Sequence, residues 1–262
     1  MRIAFFDSGI GGITVMTEAM KQLPREDYIY YADNLHVPYG TKSKDEVKFY
    51  VKTAIDDIMQ EEVKAVVIAC NTATSIAVAD LRNEYQVPII GLEPAVKPAV
   101  EMNRASGKRV LVFATPLTLS QSKYTDLVTR VDDQHIVDSL PLTDLVGYCE
   151  RLEIEEATQY LQEQLAIYDL ANYGTIVLGC THYPFYKNVI KQLVPDHIQI
   201  IDGSNGTVKK LKQELEKSGM LSVHGTCDVK YMCSSHDSAT LAKLEKATQI
   251  YAEIDRVNLE DN

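Results

Sequence analysis

The chain has 262 residues, enough for one large or two small domains with real cores. Hydrophobic residues make up 45% and charged residues 24%, the composition of an ordinary soluble globular protein. The formal net charge of −11 argues against a nucleic-acid partner, since phosphate binding wants a basic face, yet leaves room for a small anion held by a local nest of backbone N–H groups.

In chain order, the apolar run IAFF at 3–6 is ended at once by Asp7 and Ser8, so it reads as part of a strand at 2–6 and not as a signal peptide. DSGIGG (Asp7–Gly12) then opens a helix. Its bland reading is a tight turn that needs glycine φ angles, and it lacks the GxGxxG spacing of a dinucleotide site. Further strands are expected at 28–31, 64–69 and 88–91, with a helix at 44–60 whose Val47, Val51, Ala54, Ile55 and Ile58 share one face. A second strand series is expected at 109–114, 134–138, 175–179 and 197–201. The tail opens with the helix TVKKLKQELEKSG, capped by Gly219, and 226–234 reads as an added strand. Continuous apolar strands between amphipathic helices predict an α/β fold with parallel sheets covered on both faces. The two series predict two similar lobes, the first running to about Ala95 and the second from about Val96 to about Ile201.

No stretch approaches the roughly 18 consecutive apolar residues of a membrane helix. The five cysteines are scattered with no CxxC, which fits free thiols in a reducing cytoplasm. Two of them share a local echo. IACNTAT (68–74) and LGCTHYP (178–184) both read strand, small residue, Cys, polar, polar. In open α/β sheets ligands bind beyond the carboxyl ends of strands, so a cleft between the lobes can bring Cys70 and Cys180 face to face.

Racemising an amino acid means removing the Cα proton from one face and returning one to the other. Two thiols can do this when one is deprotonated and the other protonated. Asn71 and Thr72 follow Cys70, and Thr181 and His182 follow Cys180. Helices starting at these points would aim N–H groups at an anion. His182 can orient or deprotonate Cys180, Asp7 can take an ammonium group or handle protons near Cys70, and Ser8 can bind a carboxylate. The bland alternative is that each strand-end cysteine is a small buried hydrophobe, as we read Cys149, Cys227 and Cys233. A metal on Cys70, Cys180 and His182 is the other rival, but Cys180-Thr181-His182 is too tightly spaced to chelate easily through both side chains. No lysine stands at a strand end in the setting of a pyridoxal phosphate Schiff base.

FFDSGIGG (5–12), YADNLHVPYGTKS (31–43), IACNTATS (68–75), IIGLEPAVKPA (89–99) and VLGCTHYPF (177–185) together resemble the signature segments of the bacterial glutamate racemases. The resemblance implies two pseudo-symmetric α/β domains with mainly parallel sheets and the active site in the cleft between them. Residues 1–95 plus 205–262 would form the first and 96–204 the second. It implies interconversion of L- and D-glutamate without cofactor or metal, for peptidoglycan synthesis, by a cytoplasmic homodimer. Cys70 and Cys180 would be the opposed acid/base thiols, assisted by Asp7 and His182. Substrate contacts would come from Asp7, Ser8, Pro38, Tyr39, Gly40, Asn71, Thr72, Thr115, Thr181 and His182. One segment departs from the family pattern. In DSLPLTDLVGYCE (138–150) a family cysteine aligns with Ser139 and a family glutamate with Gly147, and Glu150 can substitute if the segment is a helix. That departure keeps two alternatives open, a racemase for another acidic amino acid such as aspartate and a non-catalytic amino-acid-binding relative.

Overall fold

A computed structural model describes residues 1–260, with side chains through residue 257. The first half carries strands β1 (Arg2–Asp7), β2 (Tyr28–Ala32), β3 (Val63–Ile68) and β4 (Ile89–Gly91). Helices α1 (Ile13–Gln22), α2 (Lys44–Ile58) and α3 (Asn71–Glu84) connect them. After α4 (Val96–Asn103) comes a second set, β5 (Arg109–Ala114), β6 (Val137–Pro141), β7 (Tyr173–Leu178) and β8 (Gln199–Asp202). Its connections hold α5 (Pro116–Leu119), α6 (Ser122–Val131), α7 (Leu145–Arg151), α8 (Ile154–Leu165) and α9 (Lys187–Leu193). The chain finishes with α10 (Ser204–Lys217), β9 (Val229–Cys233) and α11 (Ser238–Glu260).

All strand pairs are parallel, in a five-stranded sheet ordered β4-β3-β1-β2-β9 and a four-stranded sheet ordered β6-β5-β7-β8. The sequences β2-β1-β3-β4 and β6-β5-β7-β8 are the same arrangement twice. Even the register slip repeats, at Arg2/Ile3 in one sheet and Arg109/Val110 in the other. The inner strands β1, β3, β5 and β7 are almost wholly buried because helices cover both faces, whereas the edge strands β6, β8 and β9 are partly exposed. A single apolar cluster contains Phe5 and Val67 from the first sheet together with Phe113 and Leu178 from the second, so the halves are packed together and not tethered by a linker. The returning segment adds β9 to the free edge of β2 and lays α10 and α11 over α1.

Local signals account for several boundaries. Ser43 caps α2 reciprocally: its Oγ accepts from Glu46 N and Glu46 Oε2 accepts from Ser43 N at 2.9 Å. The five expected residues of the α2 face are all buried. Gly219 (φ +67°) ends α10 in a Schellman turn, with Gly219 N donating to Glu216 O and Met220 N to Leu215 O. The expected strand at 134–138 lies instead at Val137–Pro141. The Asp132 carboxylate accepts from both Ile136 N and Val137 N at 2.9 Å, and His135 is left-handed (φ +55°), so a side-chain-organised turn occupies the first part of the apolar run.

The returning segment is also pinned by charge. Lys64 on β3 pairs with Glu26, at side-chain exposures of 6% and 2%, and Lys64 Nζ donates to Met220 O at 2.7 Å while Glu26 Oε1 accepts from Ser222 N at 2.8 Å. Lys64→Met leaves a buried carboxylate without its cation. Denaturant unfolding is expected to show a loss of about 3–5 kcal/mol; a change under about 1 kcal/mol would mean that water reaches Glu26.

Candidate active site

Three strand ends converge between the sheets. β1 ends at Asp7 and runs into the glycine turn. β3 leads through Ala69 to Cys70, the N-cap of α3, whose sulfur accepts from Ala73 N at 3.5 Å. β7 leads through Gly179 to Cys180. β3 and β7 hold equivalent places in the two sheets, so the two cysteines follow equivalent strand ends. Both thiols are free, 6% and 8% exposed, and line one narrow pocket. A larger pocket, which shares Asn71 and is lined by Glu93, Lys123 and Arg130, carries neither thiol.

The first-sheet wall of the thiol cavity holds Ser8, Pro38, Tyr39, Gly40, Cys70, Asn71 and Thr72. The second-sheet wall holds Thr115, Cys180, Thr181 and His182, together with Val146, which the sequence did not single out. Tyr39 is fixed by its hydroxyl donating to the buried Asp33 at 2.5 Å. The hydroxyls of Thr72, Thr115 and Thr118 stand 3.0–3.1 Å apart in a triangle that joins the two walls. Thr118 was unassigned in the sequence; its signal is a threonine three residues after the capping Thr115. Asn71 is buried, yet neither its Oδ1 nor its Nδ2 has a partner. A buried amide with both ends free at a cavity wall is suited to a polar ligand that supplies both a donor and an acceptor.

Asp7 differs from expectation. It is fully buried behind the lining, and both oxygens are engaged: Oδ1 accepts from Gly9 N at 3.0 Å and Oδ2 from Thr181 Oγ1 at 2.9 Å. Direct contact with a substrate ammonium group does not fit that placement. Its carboxylate instead holds the Thr181 hydroxyl and the Gly9 N–H in place. Burial pushes its carboxyl above the ordinary value, while His182 and the Gly9 and Thr181 hydrogen bonds pull it down.

The turn glycines also serve a different purpose from the one expected. None of Gly9, Gly11 and Gly12 has a positive φ. Gly9 and Gly11 are small because the other half comes close, and Gly12 because Asp7, Tyr30 and Ala69 of its own half do. A Cβ on Gly9 would lie 1.8 Å from Glu150 Oε1, and one on Gly11 would lie 2.5 Å from both His182 Nδ1 and Thr181 Oγ1. Tyr30 holds this turn by donating its hydroxyl to Gly9 O at 2.7 Å.

The helical echo is incomplete at the second cysteine. Cys70 sits at the start of a 14-residue helix, whereas Cys180 is followed by a 3-10 turn at Tyr183–Tyr186 before α9 begins at Lys187. Pro184 lacks an N–H and restrains the residue before it, which disfavours an α-helix opening there. The helix dipole therefore acts on Cys70 alone, and Cys180 relies on His182.

His182 Nδ1 lies 3.8 Å from Cys180 Sγ, and Nε2 lies 2.8 Å from Glu150 Oε1. Glu150 Oε1 also accepts from Ile10 N at 2.8 Å, and Oε2 accepts from Lys243 Nζ at 2.7 Å. Helix α7 contains both Gly147 and Glu150; Gly147 faces Arg151, and the carboxylate opposite His182 is Glu150. Burial works against ionised Glu150, but His182 and Lys243 hold its carboxyl down at about 2. Burial likewise works against a charged imidazole, but Cys180 and Glu150 lift His182 well above its ordinary value. With Glu150 ionised, Nε2 must carry a proton, so the proton that can move is the one between Nδ1 and Sγ. On the opposite wall burial, and secondly Asp7, push the Cys70 thiol up, against the Ala73 N–H and Ser8. The two thiols thus sit in unlike surroundings, one holding its proton and one beside a charged imidazole. Among the described residues, no group of three or more His, Cys, Asp or Glu is arranged to hold a metal ion.

The Asp/Glu/Hydantoin racemase family profile matches residues 12–211. A glutamate racemase of Halothermothrix orenii is 53% identical over 221 residues, covering 84% of this chain and 87% of that protein. Glutamate racemase 2 of Bacillus subtilis is 47% identical over 261 residues, covering 98% of each. Among solved structures, the Escherichia coli glutamate racemase in complex with L-glutamate and an activator superposes with a TM-score of 0.82 at 26% identity, covering 95% of each chain.

Proposed function

The chain belongs to the Asp/Glu/Hydantoin racemase family, and we propose that it interconverts L- and D-glutamate with Cys70 and Cys180 as the opposed acid/base groups and without a cofactor. The observation that carries this reading is the pair of free, buried thiols, one from each half, lining one narrow pocket. The finding that Glu150 stands opposite His182 removes the reason for favouring a different substrate or a non-catalytic relative, since the carboxylate that seemed lost at Gly147 is supplied one helical turn on.

In one direction Cys180, as thiolate against the charged His182, takes the Cα proton. The electron pair left on Cα is delocalised into the α-carboxylate. Cys70 then gives its thiol proton to the opposite face. Turnover leaves Cys180 protonated and Cys70 as thiolate, the state that acts on the other enantiomer. Return to the first state needs Cys180 to lose one proton and Cys70 to gain one; His182, which already carries a proton on both nitrogens, takes no further proton and instead stabilises the thiolate that re-forms at Cys180. The growing carboxylate charge is met by Ser8, Asn71, Thr72, Thr115 and Thr181 and by the first N–H groups of α3. The narrow pocket and the burial of both thiols limit the water that can compete for the carbanion. Asp7 acts through Thr181 and through its charge on Cys70. Pro38, Tyr39 and Gly40 shape the first-sheet rim.

Among the described residues, no helix is long and apolar enough to cross a membrane. The reading adds a cytoplasmic homodimer that supplies D-glutamate for peptidoglycan.

The test is incubation of the purified protein, treated with chelator, with single enantiomers of glutamate and aspartate in D₂O. Inversion of glutamate with solvent deuterium at Cα is expected, and aspartate should turn over far more slowly. Inversion that retains the original Cα hydrogen, or that needs an added cofactor, would contradict the reading.

A further inference from the structure

Helix α11 packs on α1 and β9, against the first sheet, yet two of its side chains reach the second half. Tyr251 packs its ring on Phe185 at 5.0 Å, and Lys243 donates to Glu150 Oε2 at 2.7 Å. The three contacts on Glu150 come from three separate segments: Ile10 in the turn after β1, His182 after β7, and Lys243 on α11. Near them stand Asp7 on β1, Tyr30 on β2, Cys149 on α7 itself, and Cys180. Two carboxylates therefore sit beside a thiol pair that must also admit a substrate with two carboxylates and one ammonium group. Lys243 is the lysine that reaches this cluster.

We propose that Lys243 is a positioning residue for the racemisation: by holding Oε2 it keeps the Glu150 carboxylate aimed at His182 and offsets the negative charge gathered around Cys180. This inference rests on the two-thiol reading. Without Lys243, Glu150 keeps Ile10 N and His182 but has one oxygen free to rotate toward solvent. The local potential becomes more negative, so every acid in the cluster holds its proton more tightly. The step that suffers is the one in which a thiol must be deprotonated.

The experiment compares Lys243→Met and Lys243→Arg with the unaltered protein, each assayed from both enantiomers across pH. For Lys243→Met the ascending limb of the pH profile is expected to move about one unit to higher pH, the low end of what one nearby opposite charge produces. At a fixed pH on that limb kcat then falls about tenfold, while KM changes far less. Lys243→Arg restores the profile. In a Glu150→Gln background Lys243→Met adds less than it costs alone, because the aiming of the carboxylate is already lost and only the lysine's charge remains to be removed. The enantiomers have equal free energy in water, so kcat/KM stays equal in both directions for every variant, which checks the data internally. A Lys243→Met protein that is less heat-stable but has an unmoved pH profile would overturn the proposal, as would effects that add fully to those of Glu150→Gln. Failure of the unaltered protein to racemise glutamate would instead overturn the two-thiol reading.

Discussion

Cys70→Ala and Cys180→Ala each lower kcat/KM for glutamate by about 10³–10⁴-fold, the full worth of a positioned proton-transfer group. The fold is expected to survive both changes, since each removes a single sulfur at the edge of the core where it lines the pocket. The two variants fail in different ways. With one thiol gone, the other can still take the proton from the enantiomer whose Cα hydrogen faces it and return a deuteron to the same face. Each variant should therefore wash deuterium into one enantiomer without inverting it, and the favoured enantiomer should be opposite in the two. Equal loss of exchange from both enantiomers in both variants would point to a shared role in binding. Inversion at the original rate in either variant would remove that cysteine from the chemistry.

Glu150→Gln is expected to lower kcat by about 10²-fold, the lower end of general acid–base contributions. Gln keeps the size but not the charge, so the imidazole loses the partner that holds it protonated, and its amide can present either a donor or an acceptor to Nε2. The His182 ring, followed by NMR, should titrate at lower pH than in the unaltered protein. The sign follows from the shifts. His182 lies above its ordinary value, so its contribution to stability is fully present below that value and is lost as pH rises through the raised one. Glu150 lies below its ordinary value, so its contribution is present above that value and is lost only as pH falls toward about 2. The pair is thus intact across neutral pH, and Glu150→Gln shortens the window from the alkaline side. An unmoved His182 titration with full activity would mean that Glu150 only packs.

The cavity lining was largely legible in the sequence because it sits at strand ends, where an apolar run stops and a Cys, Ser or Thr begins. Cys70, Asn71 and Thr72, and Cys180, Thr181 and His182, could be placed in that way. The presence of two similar α/β halves could be read from the two series of apolar runs. The face of α2 followed from its 3.6-residue period. What could not be read depends on contacts between distant segments. Lys243 and Glu150 are 93 positions apart, and a lysine on an amphipathic helix ordinarily marks a solvated face. The purpose of Gly9 and Gly11 is invisible without the His182 side of the cleft, since a glycine kept small for close approach and one kept for a left-handed turn look alike in a chain. The offset of β6 has a similar origin: Asp132 captures two N–H groups that the apolar pattern assigns to a strand. Asp7 was placed at the right strand end, but its engagement by Gly9 and Thr181 depends on the second half.

The most direct measurement is a crystal structure of the protein with glutamate bound. Cys70 Sγ and Cys180 Sγ should lie on opposite faces of the substrate Cα, each on the order of 3–3.5 Å away, the spacing of groups poised to react. Both sulfurs on one face, or either one out of reach of Cα behind another side chain, would contradict the account.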